Sequence, residues 1–559
     1  MKRKIVTVKE IIFFLIFVIV SSIGCFLILK GYTQIKYQTG YASSFYRQVT
    51  IYNQKFQPIT TITRGTIIKY NQIPIKKTAY CQILTNQINY IKCNQVVKNK
   101  EKIVQERIIY VRTPVTIYKN PQEASIISQI NKGEAIEVIG YDKLNKDGSV
   151  NMYKIKYMQY VGYVYGKYLV IDQDIAKLNY DETASYQIHK NRGDSYGGGD
   201  AGKLDYYPVK HPHFKKNIMP KEVRSLYINI ASLNNIDNYI ALAKQSNINA
   251  FVIDIKDDTN IAYQANTMQQ YTRTTYNNAY YKKEEYKNII KKLQDNEFYI
   301  IGRITVFKDS YYVNDNEDSA IININTNKPY DSGSWASPYN RKVWEYNIKL
   351  ARESIQLGFN EIQLDYVRFP DQLYNSKNQE LFDLKNSYNE EKAEAIQKFL
   401  LYAKDEIHKE KAYISVDVFG ETAHNYVSSY GQYWPAISNV VDVISPMPYP
   451  DHFNEHQYEI DDIVWAQPYE LLNIWGTNYV QQRQKEIPTP AKVRTWIQAY
   501  DTIKEPYIIY DENKIYDQIR GLYNANLTHG YMTFNATANI LKYASIKGAF
   551  VKTSGNMSG

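Results

Sequence analysis

The run Glu361-Ile-Gln-Leu-Asp365-Tyr-Val-Arg368-Phe-Pro370 joins a short apolar stretch to a carboxylate, a guanidinium and a chain-breaking proline. An ionised Asp closing an apolar run is costly unless it is paired or working. The arrangement recurs. Strand alternation sets Phe251, Ile253 and Ile255 against Val252, Asp254 and Lys256; Gly302, Ile304 and Val306 against Arg303 and Thr305; Ile362, Leu364 and Tyr366 against Gln363 and Asp365; and Ile414, Val416 and Val418 against Ser415 and Asp417. Two carboxylates across a cleft suit the hydrolysis of a glycosidic bond, one protonating the leaving oxygen and the other attacking or activating water. On this reading Asp365 is the nucleophile or base, with Arg368 and Lys256 favouring its charge. Asp417 is the general acid, with Glu421 as its substitute. Asp254 and Asp257 are supporting carboxylates, and Asp254 is counted with the catalytic set. The competing reading makes these groups structural ion pairs, Asp365 with Arg368 or Asp254 with Lys256.

Sugar rings present apolar faces that stack on aromatic side chains. Trp335, Tyr339, Tyr366, Tyr449 and Trp496 fall near the expected site and are candidate platforms. Tyrosine is abundant, at 55 residues, so frequency alone does not single one out.

The elements that must hold these groups follow from the pattern. Strands are predicted at 225–230, 250–256, 298–305, 361–366, 412–418, 441–446, 492–499 and 530–535. Helical stretches such as Asn234–Gln245, Glu284–Gln294, Tyr339–Leu357 and Glu390–Lys409 lie between them. Eight strands alternating with helices over 224–550 predict an α/β fold, a TIM (β/α)8 barrel, whose polar groups crowd the C-terminal strand ends where such barrels keep their sites. A doubly wound sheet is the alternative, but the first strand is not followed by a glycine-rich phosphate turn.

At 559 residues the chain should hold several domains. Its net charge of +10 suits an anionic surface, yet the basic residues are scattered and no nucleic-acid-binding motif is present. Residues 1–10 form a basic tail predicted to stay in the cytoplasm, and 11–29 an apolar run long enough for an uncleaved transmembrane signal anchor. The bulk of the chain is then expected outside, as a single-pass protein of the cell membrane. Val49-Thr-Ile-Tyr52 returns as Val115-Thr-Ile-Tyr118, and each copy leads to a basic residue and glycine, Arg64-Gly65 and Lys132-Gly133. Two small all-β barrels are predicted, at 46–98 and 108–172. Cys81 and Cys93 lie within the first and could pair; Cys25 lies in the apolar run. Residues 181–220, polar and containing Gly197-Gly-Gly199, read as a flexible linker in which Arg192-Gly-Asp194 is a chance tripeptide.

The second repeat, "TIYKNP…KGEAIEVIG…MYKIKY…GYVYGKYLV", resembles a bacterial SH3-like domain, and the first is a degenerate copy. Such modules bind peptidoglycan or merely space domains. The segments "FVIDIKDDTNIAYQ", "GRITVFKD", "WASPYNRKVWEYNIKLARESIQLGFNEIQLDYVRFP", "SVDVFG", "VDVISPMPYPDHF", "VRTWIQAYD" and "GYMTFNATAN" resemble a bacterial family of glycoside-hydrolase-type barrels catalogued as a domain of unknown function. The resemblance implies a TIM-type barrel acting on a carbohydrate and supplies no substrate; a cell-wall or surface polysaccharide or peptidoglycan is the expected partner, with no cofactor. Asn535 joins the substrate-binding set on this ground, with Phe534 standing where the family pattern leads one to expect tryptophan. Two other function classes stay open. His452-Phe-Asn-Glu455-His456 has the spacing of zinc proteases and polysaccharide deacetylases, which need both histidines on one helical face. A wall-binding scaffold with a degenerate barrel needs no catalysis at all.

Overall fold

The structure is a computed structural model that describes residues 8–31, 37–71, 79–178, 198–373, 380–461 and 463–552. The chain divides into two compact units, residues 1–109 with 136–167, and residues 110–135 with 168–559. Helix Val8–Gly31 spans the expected anchor, of which the side chains of 23–29 lie outside the described residues. Among the described residues no helix is long and apolar enough to cross a membrane.

The internal repeat is structural as well as sequential. Residues 38–97 and 107–170 each supply seven strands to an antiparallel sheet. In both sheets the strands lie in the order third, second, sixth, fifth, fourth, first, seventh. Gly65 and Gly133 occupy matching turns with φ of 87° and 84°, where a side chain would be strained. Their N–H groups donate to Ala42 O and Val111 O at the ends of the matching first strands. The first copy buries Val49, Ile51, Tyr70, Cys81, Ile83 and Ile91, and Cys81 is disulfide-bonded to Cys93. In the second unit, the hairpin Val115–Ile130 is keyed to the helices Arg341–Ile355 and Lys392–Lys409. Arg341 Nη2 donates to Gln129 Oε1 at 2.6 Å, Lys398 Nζ to Asn131 Oδ1 at 2.6 Å, and Tyr402 Oη to Ala124 O. Glu390, buried between Arg341 and Lys398, closes that network.

The second half of the expected linker is not free chain. Residues 179–197, including Arg192-Gly-Asp194 and Gly197, lie outside the described residues. From residue 198 onward the backbone docks: Ala201, Leu204 and Tyr206 pack with Ala393, Val427, Tyr433 and Ile487, and Asp205 exchanges two hydrogen bonds with Gln397. Gly198 permits this approach, because a Cβ there would sit 2.2 Å from Val427 O. A glycine needed for contact reads in sequence like one needed for flexibility.

Nine of the remaining strands form a nearly closed parallel barrel: β1 (Val223–Ile228), β2 (Ala250–Asp257), β3 (Tyr299–Thr305), β4 (Glu361–Asp365), β5 (Tyr413–Phe419), β6 (Val443–Met447), β7 (Lys492–Val493), β8 (Thr495–Gln498) and β9 (Gly530–Phe534). Pairing runs β7-β6-β5-β4-β3-β2-β1-β9-β8. β7 and β8 are separated only by Arg494, whose N–H still donates to Ile444 O of β6 at 3.0 Å. Helices such as Ile236–Lys244, Lys283–Asp295, Arg341–Ile355 and Lys392–Lys409 connect the strands and bury an apolar face. Val223, Ala250, Val252, Tyr299, Ile301, Tyr413 and Met532 fill the interior. At its floor Arg494 Nη1 and Tyr299 Oη both donate to Glu361, at 2.8 and 2.9 Å.

Candidate active site

Following the inward-facing positions toward the C-terminal strand ends, the packing turns from apolar to charged. β2 presents Asp254, β3 Arg303, β4 Asp365 and β5 Asp417, and each side chain is almost wholly buried. Arg303 joins three of the carboxylates. Its Nη1 donates to Asp254 Oδ1 at 2.7 Å, its Nε and Nη2 to Asp365 Oδ2 at 3.0 and 2.6 Å, and Nη1 lies 3.3 Å from Asp257 Oδ1. The guanidinium fork suits this shared recognition. Burial and its neighbours split the carboxyls electrostatically. Asp254, which also accepts from Tyr227 Oη, is pushed up to about 6 by burial, with Arg303 pulling the other way. Asp417 is raised well above the carboxylic range, first by burial and next by the nearby Asp365 charge. Its Oδ1 accepts from Trp496 Nε1 at 2.8 Å, and its Oδ2 has no hydrogen-bond partner among the described residues. Asp365 Oδ1 accepts from its own neighbour, Tyr366 N, at 2.6 Å, with Tyr366 in the left-handed region at φ 51°. Such strain in a non-glycine residue collects at functional sites. The site therefore sets a carboxyl bonded to a guanidinium close to a second, buried carboxyl whose affinity for a proton is raised.

Just beyond Asp417 the ends of β5 and β6 open into a cleft of about 440 Å³, lined among others by Phe419, Glu421, Tyr430, His452, Phe453 and Gln457. Tyr430 Oη donates to Glu421 Oε1 at 2.9 Å and fixes the carboxylate at the cleft wall. Rings and polar side chains of this kind line a sugar-binding cleft as readily as any other ligand pocket.

The structure gathers Asp254, Asp257, Asp365 and Asp417 at one end of the barrel, with Glu421 at the adjoining cleft. It disperses several other residues singled out from sequence. Lys256 does not sit beside Asp365: it forms a buried ion pair with Asp309. The register of β2 against β3 slips between Asp254 and Lys256, so the two-residue alternation that grouped them is interrupted. Arg368 does not hold Asp365 either. It pairs with Asp371 at 3.0 Å and lies against the rings of Phe419, Tyr366 and Trp335. Trp335 is buried against Tyr366; Tyr339 is buried on Phe369 and donates to Glu390 O. Tyr449 stacks on Phe534 inside the barrel mouth. Trp496, 2% exposed, offers no open face and meets the site through its N–H. Asn535 spends its amide on Ala499 O, Thr537 and Asn539 N, shaping a turn. His452 ends a single 3-10 turn and His456 has φ 57°, so the shared helical face that a zinc reading requires is not formed.

Arg303, Tyr227 and Asp309 are the participants that sequence reasoning passed over. A signal existed for Arg303, a base on a polar strand face with Thr305, as Lys256 is beside Asp254; Asp309 ends the segment GRITVFKD, but in a loop past the strand, where alternation assigns it no face.

Residues 225–540 match the family described as "putative glycosyl hydrolase domain". No curated protein matches the chain. Among solved structures, a hypothetical protein from Ruminiclostridium thermocellum is 28% identical over 34% of this chain and 97% of that chain, with a TM-score of 0.29. The glycoside hydrolase domain of PgaB (BpsB) from Bordetella bronchiseptica is 11% identical over 60% of this chain and 97% of that chain, with a TM-score of 0.41. The spore cortex-lytic enzyme SleL of Bacillus cereus is 11% identical over 59% of this chain and 74% of that chain, with a TM-score of 0.36.

Proposed function

This chain belongs to the putative glycosyl hydrolase domain family, and from that premise we propose that it cleaves the glycosidic bonds of a cell-wall or surface polysaccharide by a two-carboxylate mechanism. Asp417 gives its proton to the leaving oxygen while the C1–O bond breaks and the electron pair leaves with that oxygen. Asp365, held by Arg303, attacks the anomeric carbon or takes a proton from the attacking water. Asp254 and Asp257 hold Arg303 in place. The observation that carries the reading is the contrast between two neighbouring carboxyls, one gripped by a guanidinium and the other buried, bonded through Oδ1 to Trp496 and, among the described residues, without a partner on Oδ2, so that burial raises its proton affinity. Counted as one strand interrupted at Arg494, β7 and β8 make the barrel eight-stranded, a TIM (β/α)8 barrel, and the two antiparallel modules before it are SH3-like. Incubation of the full chain with a panel of wall and capsular polysaccharides should release new reducing ends from at least one. Binding to purified wall with no release from any glycan would favour the scaffold reading instead.

The uncharged run 11–29 and the Cys81–Cys93 disulfide support a membrane-anchored protein whose bulk lies outside the cytoplasm, where disulfides persist. Membrane fractions should retain the chain, and protease added to intact cells whose wall has been removed should digest the barrel. Survival of the barrel under those conditions would reverse the orientation.

A further inference from the structure

The hydrogen bond from Trp496 to Asp417 has a chemical consequence. Asp417 lies on β5 and Trp496 on β8, with β6 between them, and Ser445 of β6 is register-paired with Asp417. β7 pairs with β6 only through Val443 and Ile444, and after the Arg494 N–H the ladder stops. The next residue of β6 after Ser445 is Pro446, which has no N–H to offer. Trp496 therefore lies past the end of that ladder, paired on one side only, with Met532 of β9. Its indole, buried among Tyr227, Tyr449 and Phe534, is held in one orientation with Nε1 2.8 Å from Asp417 Oδ1. An indole N–H can only donate. Oδ1 is thus committed as an acceptor, and a proton on this carboxyl belongs on Oδ2.

We infer that Trp496 is a positioning residue that selects Oδ2 of Asp417 as the proton-donating atom and stabilises the charge left on the carboxylate when that proton departs. The inference deepens the hydrolase reading and rests on it for the chemical step, but its structural core can be tested without any substrate. The other groups acting on Asp417 are Asp365, Arg303 and Glu361. The negative charges of Asp365 and Glu361 favour the bound proton, while Arg303 and Trp496 favour its loss.

All six tryptophans lie in the barrel. The test uses the full-length chain in detergent, with ¹⁵N-labelled tryptophan, so that six indole N–H signals are followed from pH 5 to 10. One signal should shift with pH and disappear in Trp496→Phe, with the other five unchanged as the check on folding. In Asp417→Asn the same signal should persist but no longer titrate, because the amide oxygen still accepts and carries no proton. In Asp365→Asn its midpoint should fall, since a charge that favoured the proton is gone. No titrating indole, or one that still titrates in Asp417→Asn, overturns the inference whether or not the protein proves to be a hydrolase. Where release is measurable, Trp496→Phe should slow it roughly ten- to a hundredfold, the fold-change of one hydrogen bond to a charged group. Its alkaline limb should also move to higher pH, a displacement that a purely structural tryptophan would not cause.

Discussion

Asparagine in place of Asp417 should lower polysaccharide release by roughly 10² to 10⁴-fold, the usual worth of a positioned proton donor, and leave the barrel standing. The native carboxyl keeps its proton well above the pH at which an exposed one would release it, first because it is buried and next because Asp365 is near. A neutral amide of the same shape is therefore a close substitute, and its oxygen still accepts from Trp496. A carboxyl whose native affinity for the proton is raised contributes stability that is present at low pH and lost as pH rises through its native titration. Asp417→Asn should flatten that decline, read as the urea midpoint of the tryptophan fluorescence transition between pH 5 and 9. Wild-type release should fall as pH rises through the titration of Asp417, because the donor empties. An aryl glycoside of the sugar that the panel identifies, with a weakly basic leaving group, needs no proton and should be largely spared. Asp365→Asn should lose both substrates together. Equal losses on both substrates for both variants would sink the division of roles.

Arg303→Met should be the most destabilising single change in the site, by about 3–5 kcal/mol at neutral pH, the cost of leaving buried carboxylates without their cation. Asp254 and Asp365 lose direct charged hydrogen bonds of 2.6 to 3.0 Å, and Asp257 loses a partner at 3.3 Å. Without the guanidinium the native proton affinity of Asp254, already raised to about 6 by burial, rises further. The penalty should therefore be large at pH 8 and shrink as Asp254 takes up its proton toward pH 5, and activity should be lost throughout. Arg303→Lys restores a charge but not the fork, and should recover stability more than release. A penalty that is the same at both pH values would mean that packing, and not charge, is what Arg303 supplies.

Much of this architecture was legible because strand alternation is a strong signal. Eight apolar-polar runs marked the barrel strands to within a few residues, and the carboxylates at 254, 365 and 417 were visible as polar members of inward faces. What alternation misses is irregularity in the backbone. The slip between Asp254 and Lys256 detaches a lysine from the group it was read with, and the interruption at Arg494 ends a ladder that the sequence shows as one strand. Partners far apart in sequence were equally hidden. Arg303 was seen on its strand face, but its choice of Asp365, where Arg368 stands only three residues away from that Asp, depends on which strands become neighbours. Gly198 was misleading for a different reason: close approach and flexibility use the same residue.

The two β copies answer the same shortage in different ways. A module of some sixty residues buries too little surface to be secure alone. The first copy carries a covalent staple across a sequence separation of 12 residues, worth roughly 3 kcal/mol by the entropy that it removes from the unfolded chain. The second has no cysteine and leans the hairpin Val115–Ile130 on the barrel's helices through Arg341, Lys398 and Tyr402. Duplicated architecture has thus acquired two unlike dependencies. The leading copy answers to the redox state of its surroundings, and the hairpin of its sibling to the helices on which it leans.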